Sequence, residues 1–339
     1  MTITETHSVQ TAQGIRELRE LPKGHLHIHM EACMRPATLA ELAAEKGIPV
    51  PETQDFEGFA AFSETYRTLL EVLRTPEAVE RLIHEIFEDN AADGAAWLEL
   101  NVSPRFYDTV FGSQDAALEA FLAYSEAASV KTGVAFGFMV TIDRTAGVDV
   151  AIELAELAAR FAGRGVVSLG LAAEERGNSS ARFAEAFAIG KRAGLQITPH
   201  AGELVGPEEV RGALSVGADR ILHGIRSVED PSLVAELAER GVSLDVCPSS
   251  NVILVDSVPT IADHPLPHLL EAGVRCSINA DDPILFGPGL LDEYEICRSG
   301  LGLSDEQLAA CAWTSIETTL APEAVKAVAR ERIDAWLAA

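Results

Sequence analysis

Short runs of β-branched and apolar residues alternate with longer stretches rich in Ala, Glu and Leu along most of the chain. After an opening stretch at Lys23–Glu31, such runs predict strands at Ala95–Ser103, Val134–Ile142, Val166–Ala172, Gln196–Ala201, Arg220–His223, Val242–Cys247 and Arg275–Asn279. Between them, helical spacing is found at Asp115–Lys131, Val150–Phe161, Ser180–Ala193, Glu208–Val216, Pro231–Arg240 and Leu266–Ala272. This alternation predicts an α/β protein with a parallel sheet. Eight such units in 339 residues predict a single (β/α)8 TIM barrel.

A doubly wound open sheet is the alternative to a barrel. It would usually carry a Gly-rich phosphate turn after its first strand, and the sequence after Lys23–Glu31 has none. A helix is predicted at Arg35–Gly47, where Gly47 and the prolines that follow end it.

Aromatic residues are concentrated in the stretch from Phe56 to Arg74, which holds Phe56, Phe59, Phe62 and Tyr66. This stretch predicts helices that pack on the core, or an apolar lid over a substrate mouth. We therefore expect extra helices to cover the C-terminal mouth of the barrel. Residues 1–20 are predicted to be a lead-in, and residues 21–339 one metal-dependent domain.

The opening stretch carries His27 and His29 between apolar residues. Alternate residues of a strand point to the same face, so these two imidazoles would leave the strand together and could bind one metal ion. His25 shares that face but would lie deeper in the barrel, and we expect it to serve the structure.

Reactive residues also follow later strands, where the active site of a barrel lies. His200-Ala201-Gly202-Glu203 comes at the end of the fifth strand and after it, His223-Gly224 ends the sixth, and Asn279-Ala280-Asp281-Asp282-Pro283 follows the eighth. Catalytic zinc takes nitrogen and oxygen ligands and keeps a position for water, which becomes hydroxide near neutral pH. The sequence therefore predicts one Zn²⁺ per chain, with the ligands His27, His29, His200 and Asp281.

The remaining polar residues at these strand ends have other predicted roles. Glu203 would stand beside the metal and deliver a proton, and His223 would hydrogen-bond the hydroxide. Asp282 is a candidate for holding the substrate. The fourth strand ends without the lysine that bridges two metals in related barrels, which favours one metal. Iron and manganese remain alternatives to zinc, because three histidines and an aspartate suit several divalent ions.

Six motifs, in order along residues 22 to about 325, resemble those of the adenosine deaminase family of the amidohydrolase superfamily. They are Leu-His-Ile-His-Met-Glu at 26–31, Leu-Ala-Ala-Glu-Glu at 171–175, His-Ala-Gly-Glu at 200–203, His-Gly at 223–224, Cys-Pro-Ser-Ser-Asn at 247–251 and Asn-Ala-Asp-Asp-Pro at 279–283. The resemblance implies the same zinc ligands. It implies that Glu203 protonates purine N1, that His223 positions the hydroxide and that Asp282 contacts N7. It also places the backbone N–H of Ala173 opposite N3 and Glu31 near the ribose, or in the space that a ribose would fill.

The expected reaction converts adenosine or 2′-deoxyadenosine to inosine or 2′-deoxyinosine and releases ammonia. Two departures from the family pattern leave the substrate open, because Ala32 and Ala173 stand where glycine is usual and each adds a methyl group near the expected purine. The alternatives are a deaminase of adenine or of a modified 6-aminopurine nucleoside, and a catalytically silent purine-binding protein. Another amidohydrolase, cleaving a cyclic amide or ester, is the remaining alternative.

Net charge and cysteine content indicate which partners and which cellular compartment to expect. With 26 basic and 52 acidic residues the net charge is −26, which repels nucleic acid and anionic membranes and favours a neutral or weakly polar small substrate. The small-molecule purine nucleoside or base that the resemblance implies is such a substrate. The five cysteines are scattered and odd in number, which indicates a reducing compartment. The first twenty residues lack the apolar segment of a signal peptide. We therefore expect a cytoplasmic enzyme.

Overall fold

The chain folds around one parallel sheet of eight strands in a computed structural model, which describes residues 16–51 and 58–339. The strands are β1 (Lys23–His25), β2 (Ala95–Val102), β3 (Ala135–Asp143), β4 (Val166–Ala172), β5 (Gln196–Ala201), β6 (Arg220–His223), β7 (Ser243–Val246) and β8 (Cys276–Ile278). Each pairs in parallel with the next along the chain, from β1 to β8. This is the predicted (β/α)8 TIM barrel.

Helices surround the sheet and cover the end of the barrel where the strands finish. The α-helices of the described residues are α1 (Pro36–Lys46), α2 (Phe59–Val72), α3 (Pro76–Ala92), α4 (Asp108–Phe111), α5 (Gln114–Thr132), α6 (Val148–Phe161), α7 (Ala184–Arg192), α8 (Pro207–Ser215), α9 (Pro231–Arg240), α10 (Pro248–Leu254), α11 (Leu266–Glu271), α12 (Pro283–Phe286), α13 (Leu290–Gly300), α14 (Asp305–Glu317) and α15 (Glu323–Ala338). Short 3₁₀ turns lie at Leu18–Glu20, Met30–Cys33, Pro104–Tyr107, Arg144–Ala146, Ser180–Phe183, Ile225–Glu229 and Ile261–Asp263.

The barrel closes through the chain just beyond β1 and β8. The N–H of His29 donates to the carbonyl of Asp281, and the N–H of Asp281 donates to the carbonyl of His27, at 3.1 and 3.0 Å. Regular β1 ends at His25, so the two predicted ligand histidines lie past the strand and not within it. They keep an extended backbone because isolated bridges at Ile28 and His29 hold them between β8 and β2.

The other predicted elements agree with the structure to within about two residues, with one split helix. The predicted helix at 180–193 begins as a 3₁₀ turn, and α7 starts only at Ala184. The N–H and the hydroxyl of Ser180 both donate to Glu209, at 2.7 and 2.6 Å, and this contact holds the turn against α8.

The N-terminal segment is described only from Arg16, so residues 1–15 of the predicted lead-in lie outside the described residues. From there the chain packs on the C-terminal helices. Arg16 forms an ion pair with Asp305 at 2.7 Å, and Leu18 is fully buried.

A buried ion-pair network crosses the barrel interior. The Arg220 guanidinium on β6 donates to Glu99 on β2, at 2.5 and 3.2 Å, and to Asp245 on β7 at 3.0 Å. All three side chains are fully buried. Because β2 and β6 are not neighbours in the sheet, this network ties opposite walls of the barrel together.

Helix α2 lies across the mouth of the barrel, where it covers the cavity and packs on neighbouring residues. Phe59, Phe62 and Tyr66 line the cavity at the mouth, and the Phe62 ring stacks on Phe286 with 5.5 Å between centroids. Phe56, the first aromatic residue of the predicted stretch, lies outside the described residues. In the described part of the chain no helix is long and apolar enough to cross a membrane.

Candidate active site

Four side chains from distant parts of the chain meet at the mouth of the barrel. The Nε2 atom of His200 lies 3.0 Å from that of His27 and 3.3 Å from that of His29. Asp281 Oδ1 lies 3.1 and 3.4 Å from the same two histidine nitrogens. The structure therefore brings the four predicted metal ligands together.

Hydrogen bonds on the far side of two rings fix where their protons lie. Nδ1 of His27 donates to the carbonyl of Asp245 at 3.1 Å, and Nδ1 of His200 donates to the carbonyl of Leu171 at 2.8 Å. A carbonyl can only accept, so in the neutral rings both Nε2 atoms carry lone pairs. Burial, and next the neighbouring His27, lowers the pKa of His200 well below its ordinary value, which keeps that ring neutral.

The donor set fits a divalent cation. Two lone pairs and a carboxylate oxygen face one another at about 3 Å in a buried pocket, an arrangement that is repulsive unless they share a positive charge. Ligand atoms 2.0–2.1 Å from a tetrahedral zinc ion would lie about 3.3 Å apart. The measured spacings of 3.0 to 3.4 Å therefore suit such an ion.

The backbone is strained where the site is built. Three non-glycine residues have a positive φ among the described residues, and they are Ala173, His223 and Asp281, at 75°, 62° and 62°. Such a conformation costs roughly 1–3 kcal/mol per residue and persists only where its surroundings hold it. Asp281 is held by the closing backbone bonds and by Ser250, whose hydroxyl donates to Asp281 Oδ2 at 2.6 Å.

Glu203 reaches the site through a tight turn after β5. Gly202 has a φ of +73°, and a Cβ there would lie 2.4 Å from Val210, so the turn requires glycine. Beneath it, the Glu175 carboxylate accepts the backbone N–H groups of Leu204 and Val205 at 2.9 and 2.6 Å. Burial, then the Glu175 and Asp281 carboxylates, raises the pKa of Glu203 well above its ordinary value. A raised pKa favours the protonated form of this carboxyl group.

His223 faces the same point from the end of β6. Its Nε2 lies 3.6 Å from Glu203 Oε2 and 3.9 Å from Asp281 Oδ2. On the other side, its Nδ1 lies 3.0 Å from the Asn251 side-chain amide nitrogen. The predicted proton donor and the predicted hydroxide-positioning residue are thus neighbours beside the ligand cluster.

A cavity of about 400 Å³ opens beside these groups. Asp282 lines it, with an Oδ1 atom that is buried and has no hydrogen-bond partner in the described residues. Burial, then the charge of Asp281, raises the pKa of this carboxyl group well above its ordinary value. The cavity is also lined by His29, Phe59, Phe62, Ser63, Tyr66, Arg67, Leu70, Glu71, Arg74, Ser103, Phe106, Thr141, Asp143, Ala172, Ala173, His200, Glu203, His223, Leu254 and Asp281.

Glu31 occupies a layer behind this cavity and is not among its lining residues. Its two oxygens accept the hydroxyl groups of Tyr66 and Tyr107 at 2.5 and 2.9 Å, and it is 1% exposed. Ala32 is fully buried in the core. The structure therefore places Tyr66, and not Glu31, at the wall that a substrate would meet.

His25 stands apart from the ligand cluster and serves barrel closure, as expected from its depth. Its Nδ1 lies 2.8 Å from the Asn90 side-chain oxygen, and its Nε2 accepts the N–H of Ala280 at 3.1 Å.

Sequence reasoning missed several supporting residues, namely Tyr66 as a site residue, Glu175, Ser250, Asn251 and His264. Ser250 and Asn251 belong to the Cys-Pro-Ser-Ser-Asn motif, to which sequence reasoning assigned no role. Their position in a family motif directly after β7 was the signal available. Nothing in the local sequence distinguishes His264, because its side-chain partner Asn251 lies 13 residues earlier and its other partner is the backbone N–H of Leu266.

Comparisons with known proteins agree on one family. The family model described as adenosine deaminase matches residues 22–336. The chain is 42% identical to a Streptomyces coelicolor protein provisionally named adenosine/adenine deaminase, over 96% of this chain and 100% of that protein. It is 37% identical to the aminodeoxyfutalosine deaminase of the same organism, over 94% and 85%. The crystal structure of adenine deaminase from Arthrobacter aurescens superposes with a TM-score of 0.86 at 29% identity, covering 94% of this chain and 99% of that one.

Proposed function

Because this chain belongs to the adenosine deaminase family, whose relatives deaminate 6-aminopurines, we propose that it hydrolyses adenosine and 2′-deoxyadenosine to the 6-oxopurine nucleosides and ammonia. The observation that carries the proposal is the convergence of His27, His29, His200 and Asp281 beside Glu203, a buried carboxyl group with a raised pKa. We infer that these four residues hold one zinc ion. When bound, that ion would lower the pKa of a water molecule and so supply hydroxide near neutral pH.

The chain's own residues account for the proton transfers. Glu203 donates its proton to purine N1, which makes C6 more electrophilic, and can then accept a proton from the attacking water. It can pass this proton to the departing amino group, which leaves as ammonia, and take back the proton of the new C6 hydroxyl as the 6-oxo group forms. His223 lies within 3.9 Å of both Glu203 and Asp281, where it can hydrogen-bond the oxygen that adds to C6. The Asp282 carboxyl group, whose pKa is raised and whose Oδ1 has no hydrogen-bond partner among the described residues, can donate to purine N7. The N–H of Ala173 is assigned to purine N3.

Cavity size supports a nucleoside as the substrate. A volume of about 400 Å³ lies in the range of pockets that hold drug-sized ligands, which leaves room for a sugar beyond the purine. Ser103, Thr141 and Asp143 line the cavity and can contact sugar hydroxyls.

Free adenine is the second candidate, and the state of Glu31 favours it. The family resemblance places this residue near the ribose, yet both of its oxygens are already taken by tyrosine hydroxyl groups. Glu31 is also 1% exposed and does not line the cavity, so a sugar bound there would meet Tyr66 before it met this carboxylate.

Release of ammonia from a panel of purines tests the proposal directly. Adenosine, 2′-deoxyadenosine, adenine and AMP are each incubated with zinc-loaded protein, and ammonia is measured together with the loss of 6-aminopurine absorbance. We expect the two nucleosides to have the highest kcat/KM. Turnover of adenine alone would transfer the assignment to the second candidate. Absence of ammonia from every 6-aminopurine would refute deamination.

The same preparation tests the metal site. The His200→Ala variant is expected to lose bound zinc, measured by elemental analysis, because one of the four ligands is gone. His268→Ala, on α11, is the control and should retain one zinc per chain. We also propose a cytoplasmic place in nucleoside salvage, since all five cysteines are free and buried, as suits a reducing compartment.

A further inference from the structure

Three buried polar side chains form a line from helix α11 to the reaction centre. The backbone N–H of Leu266 donates to Nδ1 of His264 at 3.2 Å. Nε2 of His264 lies 3.1 Å from Asn251 Oδ1, and Asn251 Nδ2 lies 3.0 Å from Nδ1 of His223. His264, Asn251 and His223 are 3%, 0% and 1% exposed, so bulk water does not compete for these bonds.

The outer end of the line fixes its direction. Leu266 is the first residue of α11, and the first N–H groups of a helix have no carbonyl partner within it. An N–H group can only donate, so His264 Nδ1 must accept. Burial lowers the pKa of His264 to about 4, so the ring is neutral near pH 7 and its one proton lies on Nε2.

The hydrogen bonds on the two sides of the Asn251 side-chain amide run in the same direction, from His264 toward His223. Nε2–H of His264 donates to the Asn251 side-chain oxygen, so the amide presents its nitrogen to His223. An amide nitrogen can only donate, and His223 Nδ1 must therefore accept. The one proton of a neutral His223 then lies on Nε2, which faces Glu203 and Asp281.

We propose that Asn251 and His264 are positioning residues that fix the tautomer of His223, making it a hydrogen-bond donor toward the reacting oxygen and not a metal ligand. The contrast with His27 and His200 supports this assignment. In those rings Nδ1 carries the proton and Nε2 the lone pair, whereas the Asn251 amide imposes the reverse order on His223.

The contrast also explains how four packed imidazoles take two roles. The ring centroids of His27 and His223 are only 4.5 Å apart, and both lie close to Asp281. Distance alone does not separate ligand from donor here. In His27, His200 and His223 the partner of Nδ1 separates the two roles, because it decides whether Nε2 carries a lone pair or a proton. The role of His223 in turnover rests on the proposed function, whereas its tautomer is measurable without a substrate.

Nitrogen-15 NMR of the zinc-loaded enzyme, labelled at histidine, tests the tautomer. We expect the signals of His223, identified by their loss in His223→Gln, to show a protonated Nε2 and an unprotonated Nδ1. A proton on Nδ1 with a bare Nε2 would overturn the proposal even if the enzyme deaminates purines. Conversely, failure of every purine to react would remove the proposed function and leave the tautomer to this measurement.

Asn251→Asp tests the amide at nearly constant shape. A carboxylate only accepts, so Nδ1 of His223 should become protonated in the NMR spectrum. We expect kcat to fall by at least ~100-fold, since a wrong histidine tautomer lowers kcat by as much as ~10⁴-fold in a serine-protease triad. KM and zinc content should stay within about 3-fold of the parent enzyme. An unchanged tautomer, or an unchanged kcat, contradicts the proposal.

Two substitutions of His264 separate positioning from packing. His264→Leu fills the buried space but removes the donor, and we expect a lower kcat at unchanged KM. His264→Gln retains an N–H group that can reach the Asn251 oxygen, and should restore at least ~10-fold of the loss. Equal kcat values in the two variants would show that His264 only packs.

Discussion

Replacing Glu203 by Gln removes the proposed proton donor while keeping the shape of the side chain. Glu203 is 4% exposed, and burial with two neighbouring carboxylates raises its pKa well above the ordinary value. General acid–base assistance contributes ~10²–10⁴-fold to a rate, which corresponds to about 2.7–5.4 kcal/mol of transition-state stabilisation. Because bulk solvent has little access to replace this carboxyl group, we expect a loss of about 10³-fold in kcat.

The assay follows ammonia release and absorbance at several pH values, with zinc content measured on the same samples. In the parent enzyme the raised pKa means that Glu203 keeps its proton as pH rises past the ordinary range of a carboxyl group. Activity should then fall as pH passes through the raised pKa, and this limb should vanish in the Gln variant. Zinc content should not change, because Glu203 is not among the four converging ligands.

A nearby carboxylate provides the control. Glu174 lies shortly after the end of β4, but its side chain is 34% exposed and forms an ion pair with Arg176 at 3.3 Å. We expect Glu174→Gln to change kcat by less than about 2-fold, because a surface ion pair contributes little. A Glu203→Gln enzyme that keeps its zinc and stays within 10-fold of the parent kcat would refute the assigned role.

Three further predictions concern stability, each read from urea unfolding. Arg220→Met should lower the free energy of unfolding by about 3–5 kcal/mol, because it leaves two carboxylates buried without their partner. The control Arg240→Met removes an exposed i,i+4 ion pair and should change this free energy by less than ~0.5 kcal/mol. Equal effects of the two variants would contradict a structural role for the barrel network. Burial raises the pKa of Glu293 to about 8 from an ordinary 4.5, so the stability that this group contributes is complete below pH 4.5 and is lost as pH rises toward 8. In Glu293→Gln the free energy of unfolding should therefore fall less between pH 5 and pH 8 than in the parent enzyme. An equal fall in both proteins would contradict the raised pKa. Ala173→Gly should stabilise the protein by about 0.5 kcal/mol, because relief of a left-handed alanine, worth roughly 1–2 kcal/mol, exceeds the added entropy of an unfolded glycine. Ala172→Gly, in regular strand, should instead destabilise it by about 0.5–1 kcal/mol. Effects of the same sign in both variants would contradict backbone strain at Ala173.

Much of the fold was predictable because periodicity is a local property. Strands β4, β5 and β6 have the predicted bounds, since each is a short apolar run between helical stretches. The beginning of α7 was predicted wrongly. The residues before it form a 3₁₀ turn, which is held by a hydrogen bond from Ser180 to Glu209, 29 residues away in the chain.

The candidate site was predictable in its reactive residues and less so in their supports. His27, His29, His200 and Asp281 meet as expected, because the carboxyl ends of parallel strands share one edge of the barrel. Glu31 was expected either near a ribose or in the space that a ribose would fill, and in the structure it does not line the cavity. Two tyrosines from α2 and the turn after β2 hold its carboxylate behind the cavity wall, and no sequence pattern links those three residues.

The sequence by itself determined the barrel and the set of groups able to hold a metal and move a proton. Both depend on residue type and on spacing within a few residues, which the chain carries before it folds. Only the tertiary structure decided which nitrogen of His27, His200 and His223 bears a proton and which carboxyl groups have a raised pKa. Those properties depend on burial and on partners such as the Asp245 carbonyl, the Asn251 amide and the Glu175 carboxylate. Such partners come within reach only when the barrel closes.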